Sequence, residues 1–138
     1  MIDTINMQEM RYLNLFRKIT QISTRFCFRY NDFIIFAVPR NLVSRAIGES
    51  GKNVKRISEI FGKKVKVVSY PSELHDVKRF IGAVVSPVNF KNLEINNEEI
   101  IITAGNQSKA ALIGRDKARL HELQKISKMF FRRDLKIV

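Results

Sequence analysis

The sequence predicts an α+β chain of two successive units, each a three-stranded sheet packed with helices in the order α-β-β-α-α-β. Three observations predict it. Segments with helical spacing of apolar residues are interleaved with short runs that either alternate or are apolar throughout. That order of signals runs through the chain twice. Of the 138 residues, 45% are hydrophobic, enough to fill a core and too many for a disordered chain. The units fall near residues 1–70 and 71–138. A unit of that size buries only about 60% of the surface of its unfolded chain, so two of them gain by packing together.

The first unit opens with a helix from Asn6 to Gln21. Asn6 caps it, and Glu9 stands three residues on, as in a capping box. Tyr12, Leu15, Phe16, Ile19 and Ile22 form its apolar stripe. Thr24 to Tyr30 alternates, with Phe26, Phe28 and Tyr30 on one face, and Asn31-Asp32 makes the turn. Phe33 to Val38 is apolar throughout and reads as a buried strand that Pro39 ends. A short helix from Asn41 to Ile47 leads into a glycine turn. The helix after it, Lys52 to Phe61, carries Val54, Ile57, Ile60 and Phe61 as its buried face, and Gly62 stops it. Lys64 to Val68 is the last strand.

Tyr70-Pro71-Ser72 punctuates the chain, and the order restarts. Ser72 is placed to cap a helix carrying Leu74, Val77, Ile81 and Val84. Pro87 to Ile95 and Glu99 to Thr103 read as strands joined at Asn96-Asn97, and Gly105 to Ser108 as a loop. "KAALIGRDKARLHELQKISKMFF" is helix, turn, helix, with its stripe from Leu120 to Phe130 in the core, and "DLKIV" is a strand. The duplication extends to residues. "AIGESGKNVKRISEIFGKKVKVV" lies over "LIGRDKARLHELQKISKMFFRRDLKIV", with Gly114 placed 66 residues after Gly48.

Charge bounds the partners. The net charge is +12 and the pI about 10.2, which attracts polyanions. Nucleic acid leads and an anionic membrane surface follows, because the basic residues gather around the glycine turns. Residues 1–70 hold 13 basic and 5 acidic residues; residues 71–138 hold 12 and 8. Cys27 is the single cysteine, on an alternating strand, so it reads as a packed thiol and no intramolecular disulfide or thiolate metal cluster is expected. His75 and His121 lack ligand-spaced partners. No apolar run reaches about 18 residues, so no membrane span is expected. "MIDTINMQEMRYLN" lacks the basic and apolar blocks of a leader. The expectation is a cytoplasmic protein without metal, cofactor or small-molecule substrate. No catalytic residue can be assigned either, since no paired-carboxylate or Cys-His site can be assembled.

The stretch that carries chemistry is "AIGESGKNVKRI". A phosphate-binding loop of the nucleotide-hydrolysing kind is excluded. Ala46 occupies the place of its first glycine, Asn53 that of its magnesium-binding hydroxyl, and a helix precedes the turn where a strand should. A helix–Gly-x-x-Gly–helix clamp fits. Gly48 and Gly51, flanking Glu49 and Ser50, leave the backbone bare, so a sugar-phosphate strand can approach closely. The free N–H groups at the start of the next helix favour phosphate oxygens. Lys52, Lys55 and Arg56 add positive charge, Arg45 approaches from the preceding helix, and Asn53 completes the turn. Bases would lie in an apolar groove between the helix pair and the sheet.

This stretch, with its second copy, resembles the signature of the KH domain, which clamps about four nucleotides of single strand with its GXXG loop. A helix and strand ahead of the core imply the prokaryotic, type II form. Nearly the full length, from "EMRYLNLFRKIT" through "FCFRYNDFIIFAV" and "GKKVKVVSY" to the shorter second unit, resembles archaeal NusA-type transcription factors, two tandem KH units with little else. The resemblance implies binding of nascent single-stranded RNA at RNA polymerase and an influence on termination, antitermination or pausing. Two departures stand out. Glu49 brings a negative charge to the first turn. In the second turn, Gly114-Arg115-Asp116-Lys117, lysine replaces the second glycine and is expected to restrict the backbone and block close approach, with Arg115, Lys117, Arg119 and Lys109 contacting phosphate instead. The second unit should therefore bind more weakly or serve as support, and a plain turn is the competing reading for Gly114.

Other features have a structural reading beside the functional one. Lys63, Lys64 and Lys66 are a solvated strand edge or RNA contacts. Arg132-Arg133 reads as a helix-end cap, with nucleic-acid contact second, and Phe28 and Tyr30 as buried strand residues, with base stacking second. Two rivals share the sequence features: a ribosome-associated RNA-binding protein of the same fold, and an adaptor whose charge meets an acidic protein.

Overall fold

The computed structural model describes residues 6–138; the first five residues of the segment read for a leader lie outside them. The chain divides into two compact units, Met1–Tyr70 and Pro71–Val138. Both are α+β, and the described residues form six α-helices and two three-stranded sheets.

In the first unit, α1 (Met7–Thr20) starts at the expected capping box. The Glu9 N–H donates to Asn6 Oδ1 at 2.8 Å, and the Asn6 N–H donates to Glu9 Oε1 at 3.4 Å. Tyr12 and Phe16 are buried, with Leu15 and Ile19 packed partly over the core beside them. Strands β1 (Phe26–Tyr30) and β2 (Phe33–Val38) pair antiparallel. Asn31 and Asp32 join them with φ of 51° and 65°, as a tight right-twisted hairpin requires. The chain then crosses over through α2 (Val43–Ile47) and α3 (Lys52–Phe61) to β3 (Lys64–Ser69), parallel to β2. The sheet order is β1-β2-β3. Phe16 stacks on Phe36 at 4.3 Å between ring centroids, over Ile34, Ala46 and Ile57. Cys27 is buried, and desolvation first, then the nearby Glu9 charge, push its thiol up to about 12. Phe28 and Tyr30 are buried too, so neither offers a face to a base. One expectation fails here. Ile60 is 54% exposed, because the buried face of α3 runs through Val54, Ile57 and Phe61, and Ile60 lies about 100° round the helix from Phe61.

The second unit repeats the plan. Helix α4 (Val77–Val85) precedes β4 (Asn92–Ile95) and β5 (Glu99–Thr103), which pair antiparallel. Helices α5 (Asn106–Ile113) and α6 (Ala118–Phe131) cross to β6 (Asp134–Ile137), parallel to β5. Phe80, Ile81, Ile100, Leu112, Leu123 and Ile126 fill its core. Arg133 closes the end of α6, donating through Nη1 to the Phe131 carbonyl at 2.7 Å.

Three local readings are corrected. Ser72 does not cap α4 with its side chain; its N–H donates to Asp76 Oδ2 at 3.2 Å. A 3-10 turn, Leu74–Asp76, leads into the helix and leaves Leu74 46% exposed. Asp76 is held by Arg79, Nε to Oδ1 at 2.7 Å and Nη2 to Oδ2 at 2.6 Å. The strand expected from Pro87 begins only at Asn92; proline brings no N–H to a ladder. The loop expected at Gly105–Ser108 is mostly the first turn of α5, capped by Gly105. Asn and Ser are as much at home at a helix start as in a loop. Among the described residues no helix is long and apolar enough to cross a membrane.

Candidate nucleic-acid interface

The first glycine turn is built by two residues with different tasks. Gly48 ends α2 at φ 83°, ψ 164°, a region essentially open to glycine alone. A Cβ there would stand 2.9 Å from Asn53 Cγ and Nδ2. Asn53 is thus packed over Gly48, and its Nδ2 donates to the Arg45 carbonyl at 3.3 Å. It ties the end of α2 to the start of α3. Gly51, at φ 74°, ψ 18°, has only Lys55 Cε near its missing Cβ, at 4.0 Å. The space over Gly51 is open. Between them, Ser50 takes a left-handed φ of 55°, and the Gly51 N–H donates to the Gly48 carbonyl at 3.0 Å.

No side chain caps the N-terminus of α3, so its first N–H groups keep their positive end toward the turn. Arg45, Lys52, Lys55 and Arg56 are exposed, and among the described residues no ion pair neutralises any of them. Glu49 and Ser50 are exposed at the crest of the turn.

An open cleft of about 370 Å³ lies along α3, its lining starting at Val54 and Lys55, one turn into the helix. Val54, Lys55, Ser58 and Glu59 form its helix side; Phe33, Lys64 and Val65 form its strand side. The Phe33 ring carries two ammonium groups, Lys64 Nζ at 5.6 Å and Lys66 Nζ at 5.0 Å from its centroid, within cation–π range. Desolvation lowers the pKa of the Lys66 ammonium. Ser58 Oγ is spent on the fold, donating to the Lys63 carbonyl at 2.6 Å. The sequence reading assigns none of the cleft residues Phe33, Val54, Ser58, Glu59 and Val65 to the site; it places Val54 and Phe33 in the core. Their signal is the helical spacing of Lys55 and Glu59 one and two turns beyond Gly51, which needs the strand register to complete it.

In the second turn Lys117 keeps the backbone shape of the first. Gly114 sits at φ 74°, ψ 173°, Asp116 at 54°, 28° and Lys117 at 62°, 22°, close to Gly48, Ser50 and Gly51 in turn. Lysine accepts the left-handed conformation at a cost of roughly 1–2 kcal/mol. What differs is chemistry. Arg119 takes the place of Asn53, its Cγ 2.5 Å from where a Cβ on Gly114 would be. Its Nη1 pairs with Glu122 Oε1 at 2.5 Å, so its charge is matched within the fold. Lys109 stands in the first turn of α5, more than one helical turn ahead of Gly114. Arg115, Asp116 and Lys117 are exposed on the turn. At the positions of Lys52, Lys55 and Arg56 stand Ala118, His121 and Glu122.

The strand side inverts as well. Phe33 pairs with Lys64 at the start of the β2–β3 ladder; Glu99 pairs with Asp134 at the start of the β5–β6 ladder. Carboxylates therefore occupy the places of the aromatic ring and the lysine. Glu99 holds Lys136 at 3.4 Å, and Asp134 holds Lys128 at 2.8 Å.

No family model matches the chain. Two curated archaeal proteins, each named probable transcription termination protein NusA, are similar to it. That of Methanococcus vannielii is 26% identical over 114 residues, covering 80% of this chain and 64% of the relative. That of Methanocaldococcus jannaschii is 30% identical over 86 residues, covering 62% of this chain and 45% of the relative. The chain thus spans about half to two thirds of the length of these curated relatives. Among solved structures, the crystal structure of APE1850 matches with a TM-score of 0.66 and 26% identity, over 97% of this chain and all of that one.

Proposed function

We propose that this chain, a NusA-type protein like its archaeal relatives, is a tandem pair of type II KH domains. Its first unit grips single-stranded RNA. The observation that carries the reading is the open space over Gly51 at an uncapped helix start, beside four exposed, unneutralised cations. A phosphate entering there meets N–H groups of α3 and the charges of Lys52, Lys55, Arg56 and Arg45. Asn53 shapes the turn, and Glu49 and Ser50 border the strand's path. The bases then lie in the cleft between α3 and the β2–β3 edge.

The second unit keeps the backbone of the turn and has lost the charge pattern around it. Arg115 and Lys117 remain available to phosphate, while Glu99, Asp134 and Glu122 occupy the places of Phe33, Lys64 and Arg56 and are paired with Lys136, Lys128 and Arg119. It binds RNA weakly or supports the first unit. The role is binding without catalysis. The relatives are named for transcription termination; that setting is the one proposed for this chain, with nascent RNA and RNA polymerase as the proposed partners.

The test is Ser50→Asp with Lys52→Glu. Asp tolerates the left-handed φ of position 50, and Glu suits the first turn of a helix, so the fold is retained. Fluorescence anisotropy with a random-sequence RNA octamer is expected to show at least a tenfold loss of affinity at unchanged circular dichroism. Unchanged affinity would place RNA elsewhere on the molecule.

A further inference from the structure

We infer that Glu59 makes the cleft selective for guanine. The inference rests on the reading of the cleft as an RNA site and adds what that site reads. Glu59 lines the cleft on the same face of α3 as Lys55, two helical turns beyond Gly51, a rise of about 12 Å. A strand held at the turn and running along α3 passes over it. The other charged residues lining the cleft, Lys55 and Lys64, are cationic, so this single carboxylate stands out in a site suited to a polyanion.

Within α3, Lys55 and Arg56 lie four and three residues before Glu59, where helix ion pairs form. Neither takes it: among the described residues Glu59 has no ion pair or hydrogen bond, and it is exposed. Its two oxygens are open acceptors. A carboxylate facing an anionic strand repels it unless a base supplies donors in compensation. Single-stranded RNA presents its Watson–Crick edges. Guanine's edge offers two adjacent donors, N1–H and the N2 amino group, matching the two oxygens of a carboxylate. Adenine and cytosine offer one amino group beside an acceptor nitrogen, and uracil one N–H between two carbonyls. Guanine alone engages both oxygens without an opposed acceptor.

The test uses the full chain and oligouridine octamers carrying one central guanine, inosine, adenine or cytosine. Inosine lacks only the N2 amino group. The wild-type chain is expected to bind the guanine octamer about tenfold more tightly than the inosine or adenine octamer. In Glu59→Gln and Glu59→Ala that ratio falls to within twofold, while affinity for the inosine octamer is unchanged or higher because a negative charge has gone. A wild-type chain that binds the octamers without favouring guanine, or a guanine preference that survives both variants, overturns the inference and leaves the RNA site standing. Octamer binding that survives Ser50→Asp with Lys52→Glu brings down the site itself, and this inference with it.

Discussion

Gly48 and Gly51 read alike in the sequence and act differently in the structure. Gly48 is required twice, by its φ and by the Asn53 side chain against it; Gly51 is required by its φ alone. Gly48→Ala is therefore expected to destabilise the chain by about 2 kcal/mol or more, and Gly51→Ala by about 1 kcal/mol, read from urea denaturation midpoints. Lys117, at the place of Gly51, shows that the conformation itself tolerates a side chain. The spacing G-x-x-G was legible; which glycine is structural and which leaves room for a ligand was not, since that depends on what the next helix lays over each. Cys27 was legible as a packed thiol from its strand position. Held at about 12 by burial, it is expected to ignore Ellman's reagent at pH 8 in the native state and to react fully in 6 M guanidinium.

Among the elements, those with strong periodicity and a cap were legible. Helix α1 is fixed by Asn6, Glu9 and the Tyr12–Phe16 stripe, and the first hairpin by Asn31-Asp32. The failures share a cause. Pro87, Gly105 and Ser72 are punctuation whose sense depends on neighbours: Ser72 lost its place as cap because Asp76 receives both its N–H and the Arg79 guanidinium. That pair has a pH signature. The hydrogen bonds from Arg79 first, with the Ser72 N–H and the Arg79 and His75 charges, hold the Asp76 carboxyl at about 2, below its usual value near 3.9. A depressed folded pKa means stabilisation that is complete above about pH 4 and lost as pH falls toward 2. The difference in stability between the wild-type chain and Asp76→Asn is expected to shrink by roughly 1 kcal/mol between pH 5 and pH 2, in urea titrations at each pH.

For the molecule as a whole, the excess of +12 foretells a salt-dependent partner. If Arg45, Lys52, Lys55 and Arg56 each displace one counterion, log K against log salt has a slope of about −3. A slope near zero between 50 and 300 mM potassium chloride would assign the binding to apolar contacts. By itself the sequence determined the α+β class, the duplicated order of elements and the glycine turn, because periodicity, caps and left-handed glycines are properties of neighbours along the chain. Only the tertiary structure decided that the two turns share one backbone shape while their surroundings oppose each other. Glu99 and Asp134 meet where Phe33 and Lys64 meet in the first unit, and parallel strands separated by two helices find their register through the packing of the core.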